Sequence, residues 1–253
     1  MNKLPIIISM TSTHYRINTL YKCLDSIVNG TYLPEKILLY LSKEPHLLDN
    51  GISKVPTNLE KYKDILEIKW VNNIGAHRKF FYSFTEYPKH LILTIDDDNI
   101  YPPNYLEVMY SEYNSHKDSI IAGHGKIIKG LKYTEWLAPK TGIHKNNYFF
   151  CGNPGTLFNT ELLPAEIFDL DKILKYSPTS SEMWLNFYLK YLKIPVYFIN
   201  KSLFAYPFPF PMVEGSQTVS LQKYHRTNNW EKKEKIFNNI IKYFNITEDV
   251  LSD

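Results

Sequence analysis

Residues 89–107 read KHLILTIDDDNIYPPNYLE. An apolar run, Leu91-Ile92-Leu93-Thr94-Ile95, stops at three consecutive aspartates, Asp96, Asp97 and Asp98. A short apolar run bounded in this way is expected to be a buried strand, here over 90–95. Pro102 and Pro103 suit a helix start, carried on by Tyr105, Leu106, Met109 and Tyr113 at helical spacing. Three adjacent carboxylates at the mouth of a buried strand repel one another, and a divalent cation supplies the missing charge. Mg²⁺ and Mn²⁺ take oxygen ligands, usually one or two carboxylates with phosphates and water. Asp96 and Asp98, two apart on extended backbone, are expected to share a side, with Asp97 turned away or capping a turn. The competing reading is a solvated Asp turn ahead of a helix, whose positive end favours acids.

Outward from this strand the first half alternates two periodicities. PIIIS (5–9), KILLYLS (36–42) and LEIKWV (66–71) read as strands. Ile17, Leu20, Tyr21, Leu24, Ile27 and Val28 recur at helical spacing, and 77–87 reads as a second helix. Strands alternating with helices imply βαβ units on a mostly parallel sheet flanked by helices. In an open sheet of this kind, ligands bind at the carboxyl ends of the strands, where the aspartates lie.

The second half is less regular. SIIAGHGKII (119–128) reads as an interrupted strand, and 146–159 as an aromatic strand followed by a Gly/Pro turn. A helix is expected over 180–192, capped by Ser180 or Ser181, and a strand over 195–200. The prolines of 203–218 exclude regular structure, and 230–244 forms a last amphipathic helix with Trp230, Phe237, Ile240, Ile241 and Phe244 on one side. Without a linker, a repeat or a low-complexity segment, one α/β domain over 1–253 is expected, its first half, 1–100, ending in the aspartate triplet and its second half running over 101–253.

Composition bounds the function. Of 253 residues, 44% are hydrophobic and 22% charged, ordinary for a globular domain. The net charge of +3 suits an anionic small ligand or an acidic membrane surface and is too weak for a nucleic-acid partner. Cys23 and Cys151 form neither a CxxC motif nor a disulfide framework, so a cytoplasmic setting is expected. The opening MNKLPIIISM, broken at Pro5, reads as a first strand and not as a signal peptide.

The chain resembles bacterial glycosyltransferases of the GT-A (Rossmann-like) fold, family 2-like, the group that builds capsular and lipopolysaccharide chains. TIDDDNIYPPNYLE (94–107) looks like their Asp-x-Asp region, and ISMTSTHYRINTLYKCLDSI (8–27) like their opening strand and loop. NNIGAHRKF (72–80) is similar to their Gly-x-x-Lys-Lys segment, CGNPGTLF (151–158) to a Gly-rich strand before the acceptor region, and PTSSEMWL (178–185) to Pro-Thr-Ala-Asp-Asp-x-Trp. Ser181-Glu182 stands where that pattern has an acidic pair, and Asn153-Pro154 where it has small residues.

The resemblance implies a metal-dependent transfer of sugar from a nucleotide-sugar donor, UDP-linked first among candidates, to a hydroxyl of a glycan or lipid-linked glycan acceptor. It implies that Thr11 and Arg16 hold the nucleoside and that Asp96 and Asp97 contact the donor. Asp96 and Asp98 would bind Mn²⁺ or Mg²⁺, with His225 completing the shell. Arg78 and Lys79 follow Gly75 at a helix start, a good anion site for a diphosphate, or else a solvated basic face. Glu182, if partly desolvated with a pKa near 6–7, is the candidate general base; otherwise it is a first-turn acid serving the helix dipole. His124, between two glycines, lies near the sugar without an assigned role. Lys232, Lys233, Lys235 and Lys242 with Trp230 suit peripheral contact with the inner membrane, against the plainer reading that the helix packs on the core. Two other classes stay open. A nucleotidyltransferase would ordinarily carry a glycine in the first loop, which SMTSTHYR lacks, and a non-catalytic sugar-binding protein would need no base.

Overall fold

The computed structural model describes residues 2–130, 132–227 and 230–247. In chain order the elements are β1 (Ile6–Thr11), α1 (Leu20–Val28), β2 (Lys36–Leu41), β3 (Leu66–Trp70), α2 (Arg78–Glu86), β4 (Leu91–Thr94), α3 (Tyr105–Ser115), β5 (Ile120–Ala122) and β6 (Gly125–Ile127). There follow β7 (Gly142–His144), β8 (Tyr148–Phe150), β9 (Thr156–Asn159), α4 (Leu170–Tyr176), α5 (Ser181–Tyr191), β10 (Val196–Phe198), α6 (Leu221–Arg226) and α7 (Glu231–Tyr243).

Among the described residues one eight-stranded sheet runs β3-β2-β1-β4-β9-β5-β10-β7, and β6 pairs with β8 in a separate two-stranded sheet. The first four strands are mutually parallel, while β9 is antiparallel to both β4 and β5. The outcome is the expected mostly parallel sheet in a single α/β domain.

Alternation explains why the strands look uniformly apolar. Ile6, Ile8 and Met10 of β1, Ile37, Leu39 and Leu41 of β2, and Leu93 of β4 enter one core. Their neighbours Ile7, Leu38, Tyr40 and Ile92 enter the other. Side chains alternate across a pleated strand, so a sheet covered on both faces must be apolar at every position. Leu20, Leu24 and Ile27 of α1 and Leu106 and Met109 of α3 cover the first face. Phe80 and Phe84 of α2 and Trp184 and Leu189 of α5 cover the second, each such buried side chain contributing about 1.5–3 kcal/mol.

A third cluster lies under the small sheet. Phe149, Tyr133, Trp136, Met183 and Phe187 pack there against Ile236, Phe237 and Ile240 of α7. The apolar face of α7 is therefore covered by protein, which favours the plainer of its two readings. The Pro-rich segment also turns inward: Phe204 and Phe210 are buried against Tyr101 and Tyr105. No described helix is long and apolar enough to cross a membrane.

Two expectations are corrected, and two short helices are added. The interrupted strand over 119–128 is two strands in different sheets, because Gly123 and His124 carry the chain from β5 to β6. The helix expected from 77 starts as a 3₁₀ turn, Gly75–His77, before α2. Short helices α4 and α6, capped by Asp169 and Ser220, lie in stretches without periodicity long enough to read.

His77 joins this turn to the loop before α5. Its Nε2 lies 2.7 Å from the Ser177 carbonyl, its Nδ1 has no partner among the described residues, and burial pushes it down to about 4. An unfolded histidine titrates near ~6.5. The stability tied to the neutral ring is thus fully present above that value and is lost as pH falls toward the folded one, at about 1.4 kcal/mol per pH unit. Thermal unfolding at pH 7 and at pH 4.5 should show a smaller acid loss in His77→Gln than in the wild type. Equal losses in both would clear His77 of the effect.

Candidate active site at the carboxyl end of β4

The aspartates leave β4 at the edge of the sheet, beside the loop that follows β1, because the two strands pair in parallel with Ser9 against Thr94. That loop supplies most of their partners. Ser12 Oγ donates to Asp97 Oδ2 at 2.6 Å, and Arg16 Nη1 donates to Asp98 Oδ2 at 2.8 Å. Arg16 Nε lies 3.2 Å from Asp97 Oδ1, so one guanidinium bridges two carboxylates. Gln217 Nε2 donates to the same Asp98 oxygen at 2.7 Å, and the Val213 amide donates to the Asp98 carbonyl at 2.7 Å. Asp96 points elsewhere, to Lys79 Nζ at 2.5 Å. The expected pairing of sides is therefore corrected: Asp97 and Asp98 share Arg16, and Asp96 stands apart toward α2.

Charge does not balance here. Three carboxylates face two cations, Arg16 and Lys79. Burial opposes ionisation of Asp96, yet Lys79 and Arg16 hold it below the usual carboxylate range. Burial pushes Asp97 above that range, with Arg16 and Ser12 opposing. Burial, then Asp97 and Asp96, push Asp98 up to about 6. A hard cation fits this donor set, which is all oxygen and one positive charge short. Among the described residues no group of three or more His, Cys, Asp or Glu is arranged to hold a metal by itself.

Across the cleft lies Glu182, in the first turn of α5, where Ser180 caps the helix by accepting from the Met183 amide. The turn after β8 brings the two sides together. A Cβ on Gly152 would fall 2.9 Å from Glu182 Oε1 and 3.5 Å from Lys79 Nζ, so the missing side chain leaves room for both. Gly155, at φ +141°, presses closer still: a Cβ there would meet Tyr105 Oη at 2.2 Å and the Thr94 carbonyl at 3.1 Å. Only glycine allows the chain to pass there, against the strand that carries the aspartates.

Glu182 departs from expectation in its ionisation. Burial raises its pKa, but Lys233 of α7 and Lys79 outweigh burial and hold it below the ordinary value, not near 6–7. It is a carboxylate at neutral pH, ready to accept a proton. Lys233 was read in the sequence only as part of a basic helix face.

The other expected site residues are placed as follows. Thr11 Oγ1 donates to the Tyr40 carbonyl at 2.8 Å, tying the end of β1 to β2. Arg78 does not face the cleft as a phosphate ligand would. Its guanidinium is buried, Nη2 lying 3.2 Å from Asp49 Oδ2 and donating to the Ser12 carbonyl at 3.1 Å. It braces the loop that presents Ser12 and Arg16. Arg78→Ala removes the cation from buried Asp49 and a donor from the Ser12 carbonyl, leaving Asp49 its bonds to His14 and Gly51, and should cost about 1.5–3 kcal/mol in chemical denaturation. An unchanged midpoint would return Arg78 to a ligand role. His225 is buried too, its Nε2 3.1 Å from the Thr179 carbonyl, with Lys233, Glu182 and Lys232 as its charged neighbours. The structure sets it beside Glu182 and not with the aspartates.

Residues 9–162 match the glycosyl transferase family 2. The chain belongs to that family. None of the curated proteins matches the sequence of this family 2 glycosyltransferase. Its fold is similar to that of S. aureus TarS, residues 1–349, at 14% identity, with TM-score 0.51 over 79% of this chain and 58% of that one. TarS in complex with UDP gives 11% identity and TM-score 0.50 over 78% and 58%. Mannosyltransferase PcManGT from Pyrobaculum calidifontis, in complex with GDP-Man and Mn²⁺, gives 10% identity and TM-score 0.50 over 77% and 54%. The chain thus spans a little over half the length of those structures, and at such identities the likeness is one of fold.

Two residues of this candidate site are not legible in the sequence. Gln217 reaches Asp98 from GSQT (215–218), a stretch that reads as plain loop. Lys233 sits among lysines that differ only in helical phase, and Phe237 and Ile236 on the same helix were the available signal for which lysine turns inward.

Proposed function

We propose that this chain transfers a sugar from a nucleotide-sugar donor to a hydroxyl of a growing surface glycan, with Mn²⁺ or Mg²⁺ bound. The observation that carries the reading is the under-compensated carboxylate cluster at the end of β4, facing Glu182 across Gly152, in a chain of family 2. Asp96 and Asp98 would hold the cation, with Asp97 locked by Ser12 and Arg16 as the rigid step between them. When bound, the ion supplies the positive charge that offsets a diphosphate leaving group.

The chain's own residues do the remaining work. The loop from Thr11 to Arg16 takes the nucleoside, and Arg16 moves between carboxylates and donor as the pocket fills. Lys79, held between Asp96 and Glu182, presents a cation to the departing diphosphate. Arg78 keeps this loop in place from beneath. Glu182 accepts the proton of the acceptor hydroxyl while Lys233 and Lys79 keep it ionised. UDP is the first base to try, since a UDP complex and a GDP-Man complex are both known on this fold. The exposed Lys232, Lys235 and Lys242 of α7 suit an anionic membrane surface, where a lipid-linked acceptor would be met.

Isothermal titration with UDP and with GDP, each with and without Mn²⁺, tests the donor half. Binding of one nucleotide that depends on the metal is expected. Absence of binding for both would overturn the reading, and metal-dependent binding without donor hydrolysis or transfer would leave a sugar-binding protein.

A further inference from the structure

A cavity of about 210 Å³ opens beside the small sheet, with His124, Thr141, Asn200 and Lys201 among its walls. His124 lies just before β6, and its ring turns to Lys201. The Cys151 amide donates to the His124 carbonyl at 3.0 Å, which sets Cys151 opposite His124 and next to Gly152.

Positive charge gathers at this place. Lys201 Nζ is 3.0 Å from His124 Nδ1 and 4.5 Å from the centre of the Phe208 ring. Lys126, outside the cavity walls, donates its Nζ to the Tyr133 carbonyl at 3.5 Å and stands 4.1 Å from the centre of that ring. Among the described residues neither lysine has a carboxylate within ion-pair distance. Burial lowers the pKa of both, and burial with Lys201 and Lys126 pushes His124 down to about 4. Half-buried cations without counter-ions are costly, and the aromatic rings beneath them offset only part of that cost. A bound anion would remove it. The cluster also borders the reacting centre, since Cys151 feels Lys233, Glu182, Lys126 and Lys201 together.

We infer that this cavity holds an anionic group of the acceptor, a phosphate or a carboxylate, gripped by Lys201 with Asn200 and Thr141 as neutral partners, while Lys126 adds positive charge from outside its walls. The inference rests on the sugar-transfer reading and names the class of acceptor: a phosphorylated chain or an acidic glycan, with its anion seated a short distance from the hydroxyl that Glu182 would deprotonate.

The test uses the full chain and two probes at constant ionic strength, inorganic phosphate and glucuronate. The ring resonances of His124, assigned by their loss in His124→Gln, report occupancy of this cavity and not of the donor side. A saturable shift with either probe is expected, the more effective probe identifying the kind of anion. Lys201→Gln should weaken that probe about 10-fold or more, the worth of one charge-assisted hydrogen bond, and Lys201→Met gives an independent variant should the first fold poorly. No saturable shift with either probe, or shifts that persist undiminished in both lysine variants, would overturn the inference. UDP titrated in parallel separates the two readings: failure to bind UDP strikes the donor assignment and leaves the anion result standing.

Discussion

Asp96→Ala and Asp98→Ala are each expected to lower kcat for sugar transfer by at least roughly 10³-fold, the worth of several kcal/mol of charge stabilisation in the transition state. The fold should survive both changes. Asp98 sits where burial and two like charges oppose its ionisation, so removing it relieves repulsion, and Arg16 retains Asp97 as a partner. Thermal unfolding at pH 7 should show an unchanged or raised Tm for Asp98→Ala. Asp96→Ala differs in detail, because Lys79 then loses its ion pair and keeps only Glu182 nearby. Metal-dependent UDP binding should weaken in both variants. Near-wild-type turnover by either variant, or by the wild type in EDTA, would take the metal role away from these aspartates.

Glu182→Gln should leave donor affinity intact and lower kcat by roughly 10²–10⁴-fold, the usual contribution of a positioned base. Glutamine keeps the shape that fits against Gly152 and accepts the Ser180 hydroxyl as the carboxylate does, so α5 should remain folded. Lys79 keeps Asp96 as its partner. Restoring an acid one residue away, Ser181→Asp in the Glu182→Gln background, is expected to give little recovery: Ser181 is buried, away from the room that Gly152 leaves. Transfer at the wild-type rate by Glu182→Gln would reduce Glu182 to a first-turn acid and move the search for the base, or favour a retaining mechanism.

The fold was legible because the parallel half obeys simple periodicities. Ile6, Ile7 and Ile8 demand a strand buried on both faces, and Leu20, Leu24 and Ile27 demand a helix over it. The second half was harder for a physical reason. Strands β5 to β8 are three residues each, shorter than the window in which alternation can be counted, and β6 leaves the main sheet altogether. The aspartate triplet announced the place of the site but not its wiring. That Arg16 would span Asp97 and Asp98, and that Arg78 would turn under the loop to Asp49, depends on contacts 82 and 29 positions apart in the chain. The ionisation of Glu182 was misjudged for the same reason. Sequence shows the burial of an acid beside Trp184, but not a lysine about fifty positions later leaning into the same space.

Lys233 has a consequence in time. The ribosome delivers the parallel half of the sheet first and α7 near the end of the described chain. Until α7 docks on Phe149, Tyr133 and Phe187, the cluster under the small sheet lacks Ile236, Phe237 and Ile240, and Glu182 lacks one of the cations that hold it ionised. On the roles proposed above, a nascent chain would complete its donor loop early and the surroundings of its proton acceptor late. With those roles, nucleotide would be engaged before the final helix is in place, and full hydroxyl activation only after it, a built-in delay between the birth of binding and the birth of turnover.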